Sequence, residues 1–310
     1  VDFVTPLEGD AGQLTGADSV KVLLKIKDFE GSVGIYLDGK VTKWEKTAGG
    51  DLNTAVALGK SPSCGEWHML EAVLMDAEGF RLENEEAEAA VRFHLPCDSG
   101  EAGSETSAKR ANAFTSIYET YGWEPPEGTK ETRSGPGSYL SRTVTSREFL
   151  GKIIKEYNIK SIFDAGCGDV NWQRHVPGID QVEYHGVDIV PEMIEANKKT
   201  FADRPNMSFS VQDVVSKPLG KAYDLIICRD TLFHLPLFDA VQVLRNFDAS
   251  GSKLLLSHFD EDMAHNWPDI EPGQWHVINL LTAPFKLPPP VASIPETGDE
   301  GTLKSATHYG

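Results

Sequence analysis

The chain has 310 residues, 40% of them hydrophobic, and a formal net charge of −18. At roughly 100–200 residues per domain the length fits two domains, and no apolar run approaches the ~20 residues needed to span a bilayer. Nucleic acids and anionic membrane surfaces call for Lys and Arg to displace counterions. The acidic balance, without any basic stripe, excludes both as expected partners and reads as solubility.

The chain opens at Val1 without a Met or a basic-then-apolar leader, so no secretory signal is expected in it. Cytoplasm and secretory lumen both stay open for a water-soluble protein, and the oligomeric state is not readable. The four cysteines, Cys64, Cys97, Cys167 and Cys228, form no CxxC pair, which argues against a zinc ribbon. Cys64 and Cys97 bracket two strand-like runs, so a bridge between them in an oxidising lumen is an open alternative.

Residues 1–97 read as all-β. SVKVLLKIKDF (19–29), SVGIYLDGK (32–40), EWHMLEAVLMD (66–76) and AAVRFHL (89–95) alternate or are β-branched, with Gly, Asp and Asn between them. Short strands at that spacing predict a β-sandwich. ENEEAE (83–88) reads as a solvated loop. DSGEAGSETS (98–107) is small, polar and acidic, the composition of a linker. A helix is predicted over 108–123, where Phe114, Ile117, Tyr118 and Tyr121 fall on one face. A loop rich in Gly, Pro and Ser follows.

From about 143 helices and strands alternate. Helices are predicted at 146–157, 191–201 (opened by Pro191) and 235–247. Strands are predicted at the KSIFDAG run and at 182–189, 207–213, 222–230 and 252–259. That alternation predicts a parallel sheet with helices on both faces. The expected fold is thus an α/β Rossmann-like seven-stranded domain over 108–310, preceded by an all-β sandwich.

In such sheets ligands sit at the carboxyl ends of the strands. The first strand ends in DAGCGD, residues 164–169, and the chain then restarts as something helical. Gly166 and Gly168 would let a ligand approach the backbone. A dinucleotide site wants G-x-G-x-x-G and a helix N-terminus for the pyrophosphate. Here Asp164 and Asp169 flank the glycines, no glycine stands at 171, and two carboxylates repel a diphosphate. They suit a cation, which favours S-adenosyl-L-methionine over NAD. Asp188 ends the second strand about twenty residues on, where an acid can accept from ribose hydroxyls. Asp213 ends the third, placed to accept from an adenine amino group. Arg229, Asp230 and His234 follow the fourth, over the reactive end. Cys167, Ile189 and Val214 neighbour these positions and join the cofactor set, although Cys167 and Cys228 also read as ordinary buried thiols.

At these residues the chain resembles the class I S-adenosylmethionine-dependent methyltransferases. It is similar to a subgroup associated with glycan and polysaccharide O-methylation, through SGPGS (134–138), Thr143, REFL (147–150), GCGD (166–169), RDTLFHL (229–235) and NWPDIEPGQWHVINLLTAPFKLPPP (266–290). The resemblance spans roughly 110–310. It implies that Asp164, Gly166, Gly168, Asp188, Asp213 and Arg229 surround the cofactor and that Ser138 and Thr143 cover it. It also implies a sugar acceptor and S-adenosylhomocysteine as product. Many class I turns carry a third glycine where Val170 stands. Residues 1–97 lie outside this match and are similar to immunoglobulin-like sandwiches.

A sugar hydroxyl needs a base as its C–O bond forms. His234 is the expected base, with Asp230 orienting the imidazole or binding the sugar. Trp267, Trp275 and His258 are expected at the acceptor, since aromatic faces suit sugar rings. Asp230, His258 and Asp260, with His265 and Asp269 nearby, form a lesser alternative as a metal site. Rival functions are a methyltransferase for a small carboxylate, amine or phenol, and a non-catalytic glycan-binding or scaffold protein.

Overall fold

Alternation of apolar and polar residues builds the N-terminal sheets. In the computed structural model, which describes residues 2–5, 19–57, 67–76, 78–82, 87–94, 102–123, 131–260, 263, 266, 270–282, 284–295 and 303–308, seven strands precede the first helix. They are β1 (Asp2–Thr5), β2 (Ser19–Ile26), β3 (Gly31–Leu37), β4 (Lys40–Thr47), β5 (Gly50–Ala57), β6 (Trp67–Met75) and β7 (Glu88–His94). One antiparallel sheet has the order β1-β2-β5 and the other β4-β3-β6-β7. Val20, Val22, Leu24 and Ile26 of β2 meet Val33, Ile35 and Leu37 of β3 and Leu70, Ala72 and Leu74 of β6 in one buried cluster. The period-two spacing of these residues is what lets both sheets share a core. Asp38 and Gly39, at φ 49° and 75°, form the tight turn between β3 and β4, as Asp-Gly at a hairpin requires.

β1, β4 and β5 escape the sequence reading. β4 carries Lys40, Lys43 and Lys46 along a sheet edge and has no buried residue; charge is how edges are kept from pairing further, and it erases the apolar signal. β5 contains Gly50, Asp51 and Asn53, residues depleted in strands, and is held by its ladder to β2. Glu88, expected in a loop, opens β7. Cys64, Cys97, Trp267, His265 and Asp269 lie outside the described residues.

Helix α1 (Ala102–Thr120) starts six residues before the predicted one, so the second half of the expected linker is helical. Ala, Ser and Glu make linker composition but do not break helices. α1 stops at Tyr121, which takes φ 52° and is 44% exposed rather than continuing the apolar face. The chain clusters into two compact units. One comprises Val1–Thr106, Met263–Ile270 and Asn279–Leu287; the other comprises Ser107–Asp262, Glu271–Ile278 and Pro288–Gly310.

The second unit contains α2 (Val144–Glu156), β8 (Ser161–Ala165), β9 (Glu183–Asp188), α3 (Pro191–Thr200) and β10 (Met207–Val211). β11 (Leu225–Cys228), α4 (Leu237–Ala249), β12 (Leu254–Phe259), β13 (Ala292–Pro295) and β14 (Leu303–His308) complete it. Its seven-stranded sheet has the order β10-β9-β8-β11-β12-β14-β13. β8 to β12 are mutually parallel, and β14 is antiparallel to both β12 and β13. Ile162, Tyr184, Phe209, Ile227 and Leu256 of the sheet pack with Leu150, Ile153 and Ile154 of α2 and Ile194 of α3. The fold is the expected Rossmann-like parallel sheet preceded by antiparallel sheets, and the helices predicted after 143 are present as α2, α3 and α4. β8 leads through the glycine turn into short 3-10 turns at 173–175 and 179–181. The 212–224 connection carries no helix, and His185 of β9 bonds Ser208 and Ser210 of β10.

Candidate functional site

The order of strands reverses between β8 and β11, and the carboxyl ends there open onto a cavity of about 500 Å³. This is where the geometry of a parallel sheet leaves a crevice. The glycine turn after β8 forms one wall. Gly166 and Gly168 take φ 75° and 55°, the left-handed region that glycine enters without cost. A Cβ on Gly166 would lie 2.5 Å from Thr231 Oγ1, and one on Gly168 2.1 Å from Ser134 Oγ. The glycines make room for the protein's own side chains, and Gly166 also lines the cavity. Gly168 does not line the cavity; its N–H donates to Asp188. Val170 takes φ 57° while fully buried. A β-branched residue there is strained, which shows why a glycine is expected at that place.

Asp164, Asp188 and Asp213 line the cavity from three successive strands. Asp164 Oδ2 accepts from Gln173 Nε2 at 2.8 Å and from Tyr184 Oη. Burial pushes its carboxyl up to about 6, against the pull of those hydrogen bonds. Asp188 accepts from the Gly168 N–H at 3.1 Å and the Val190 N–H at 3.0 Å, and burial raises it to about 6 as well. At Asp213 burial also pushes upward, but Arg110 outweighs it through hydrogen bonds and charge, with Ser107 and Ser216 adding to the pull downward. Arg110 bridges Asp213 at 2.8 Å and Asp239 at 3.2 Å, tying α1 to β10 and α4. Asp169 differs from expectation: it does not line the cavity. Its carboxylate accepts from Thr132 Oγ1, the Arg133 N–H and Ser134 Oγ.

Gln173 was not legible as a site residue. It is 4% exposed and lines the cavity; its Nε2 donates to Asp164 and to the Cys167 carbonyl, while its Oε1 has no partner among the described residues. The two acceptors fix which end of the amide is the nitrogen. A buried acceptor left unpaired costs about 1–3 kcal/mol, so the site wants a donor from a ligand.

Across from the turn, Asp230 takes φ 56°. Its Oδ2 meets Arg229 Nη1 at 2.6 Å, and its Oδ1 accepts from His258 Nδ1 at 2.8 Å. Asp230 thus orients His258 rather than His234. His234 Nδ1 donates to the Gln274 carbonyl at 2.8 Å, and its ring stacks on Trp123 at 5.0 Å. That bond leaves Nε2 as the acceptor nitrogen. Burial holds the imidazole below its ordinary value, so it stays neutral at pH 7. Phe233 stands between the two histidines, 4.7 Å from His234 and 5.2 Å from His258. Trp275 is 62% exposed at the rim.

The expected residues Ser138, Cys167, Ile189, Val214, Arg229 and Asp260 also line the cavity. Thr143 does not: it is fully buried at the start of α2, where its hydroxyl donates to the Tyr139 carbonyl. Among the described residues no three His, Cys, Asp or Glu side chains converge as metal ligands. No described helix is long and apolar enough to cross a membrane.

Residues 162–250 match the protein family described as "Methyltransferase domain". With the strand order and the crevice above, that segment is a class I methyltransferase domain. Two relatives share sequence with this chain. Malonyl-[acyl-carrier protein] O-methyltransferase 1 of Ilyobacter polytropus is 31% identical over 34% of this chain and 39% of its own length. A protein of Invertebrate iridescent virus 6 named as methyltransferase 235L is 28% identical over 41% of this chain and 46% of its own. The chain therefore spans less than half the length of the curated relatives it matches. Among solved structures, magnesium protoporphyrin IX methyltransferase (ChlM) of Synechocystis PCC 6803 with bound SAH overlaps 67% of this chain and 99% of its own. Its identity is 14% and its TM-score 0.47, too low to bear on what this chain binds.

Proposed function

We propose that the chain is an S-adenosyl-L-methionine-dependent O-methyltransferase acting on a sugar hydroxyl of a glycan or oligosaccharide. The observation that carries the cofactor is the unpaired Gln173 Oε1 beside Asp164. It is an acceptor in want of a donor, on an acidic wall that repels a diphosphate and suits an ammonium or sulfonium. Asp188 and Asp213 would hold the ribose and adenine, with Ile189 and Val214 beside them. Two of the cavity's arginines are already committed to acids: Arg110 to Asp213 and Asp239, and Arg229 to Asp230.

When bound, that cofactor supplies an electrophilic methyl group. The chain's part is to hold the acceptor in line and take its proton. Fixing the two reactants can contribute several kcal/mol. His234, neutral with Nε2 as its acceptor nitrogen, suits the removal of a hydroxyl proton. His258, held by Asp230, faces the same space and can bind a neighbouring hydroxyl. Trp275 and Phe233 offer apolar faces to a sugar ring. A second reading, a carboxylate acceptor, is favoured by Arg142 in the cavity wall and by the name of the Ilyobacter relative. We read the first unit as immunoglobulin-like on its strand order, A-B-E against C′-C-F-G, with a binding or packing role.

Calorimetry with S-adenosylhomocysteine and NADH tests the cofactor. Tritiated methyl transfer onto oligosaccharides and onto small carboxylic acids tests the acceptor. Binding of NADH in preference to S-adenosylhomocysteine would overturn the reading; label on the acids but not the sugars would select the second.

A further inference from the structure

Residues 131–138 form a strap across the crevice. One end of it is fastened to a single carboxylate that does not line the cavity. Asp169 Oδ1 accepts from Thr132 Oγ1 at 2.8 Å and Ser134 Oγ at 3.1 Å. Its Oδ2 accepts from the Arg133 N–H at 2.8 Å, and its own N–H donates to Ser134 Oγ at 3.1 Å. The far end of the strap is tied independently. Arg229 Nη2 donates to the Gly137 carbonyl at 2.9 Å, and Asn171 Nδ2 to the Ser138 carbonyl at 3.0 Å. Between these ties, Ser134 to Ser138 line the cavity, whereas Asp169 does not.

The strap has a definite place along the sheet. Ser134 seats on Gly168, after β8, and Gly137 stands against Asp230, after β11. Asp213 ends the far strand, β10, beyond β9 in the sheet order. On the reading of this cavity as an S-adenosylmethionine site, the nucleoside lies toward β9 and β10 and the amino-acid tail under the strap.

We propose that Asp169 is a positioning residue for the amino-acid end of the methyl donor, acting through the strap and not by touching the ligand. Charge-assisted hydrogen bonds are roughly twice as strong as neutral ones, and here several converge on one group. Without them the seated strap is one conformation among several, and apparent affinity falls with the fraction of chains in which it is seated.

The test is calorimetry of the full chain with two probes. S-adenosylhomocysteine has the amino-acid tail; 5′-deoxy-5′-methylthioadenosine has the same nucleoside and lacks it. In Asp169→Ala, affinity for the first is expected to fall at least about tenfold and for the second less than about threefold. Asp169→Asn, whose amide oxygen still accepts, recovers part of the loss, and Thr132→Val shows the same split more weakly. If Asp169→Ala fails to fold, the other two variants carry the same comparison. Unchanged S-adenosylhomocysteine affinity, or equal losses for both probes, overturns the proposal. A folded wild type that binds neither probe overturns the cofactor reading itself, and is recognised as such before any variant is made.

Discussion

At the scale of single residues the site sets two histidines with different partners on one cavity. His234 lends its Nδ1–H to the Gln274 carbonyl, and His258 lends its own to Asp230. His234→Ala is expected to slow methyl transfer by ~10²–10⁴ while S-adenosylhomocysteine affinity is retained; a fully active variant would move the base elsewhere. Asp164 and Asp188, both raised to about 6, give a second prediction. Affinity for the cationic donor should fall as pH drops through about 6, because protonation removes the attracting charge. The unliganded domain should move the other way. Its folded state binds protons more tightly than the unfolded chain, so stability declines as pH rises from about 4 to about 6. Paired calorimetric titrations and urea melts across that range check both signs. The acids at strand ends were legible in sequence because each follows an apolar run and faces a crevice that topology guarantees. Gln173 and Arg110 were not. Arg110 meets Asp213 across 103 positions of sequence, and no local pattern announces such a pair.

Elements were read best where packing and propensity agree. α2, α3 and α4 show their apolar faces plainly, and Pro191 opens α3 where expected. β4 and β5 went unread because one is charged along an edge and the other borrows its regularity from β2. In the turn after β8 sequence shows that glycine leaves room, but only the fold shows that Thr231 and Ser134 pack into it. Gly168→Ala should therefore dislodge Ser134 and also place a Cβ in the left-handed region, the latter costing about 1–2 kcal/mol. A urea melt gives the loss directly, and no change would mean that the strap yields freely. Arg110→Ala should cost more, about 3–5 kcal/mol, because it removes the cation paired with two largely buried carboxylates at once. Arg110→Lys, which keeps the charge without the fork, should recover part of it.

For the molecule as a whole, the sequence conveyed two architectures and the direction of the parallel strands, but not how the larger sheet ends. β13 and β14 are short, follow a long irregular stretch, and pair antiparallel, so alternation of helix and strand gives no cue to them. β14 lies between β12 and β13 and carries the ladders to both. Deleting 303–308 should unseat β13, bare an edge of β12 and promote self-association, visible as aggregates by light scattering; a monodisperse, fully stable deletion would show the pair to be dispensable. The same arrangement imposes a timetable on the ribosome. β13 emerges before β14 yet has no seat until β14 has docked, so this side of the sheet must wait, half built, for the strand that follows it.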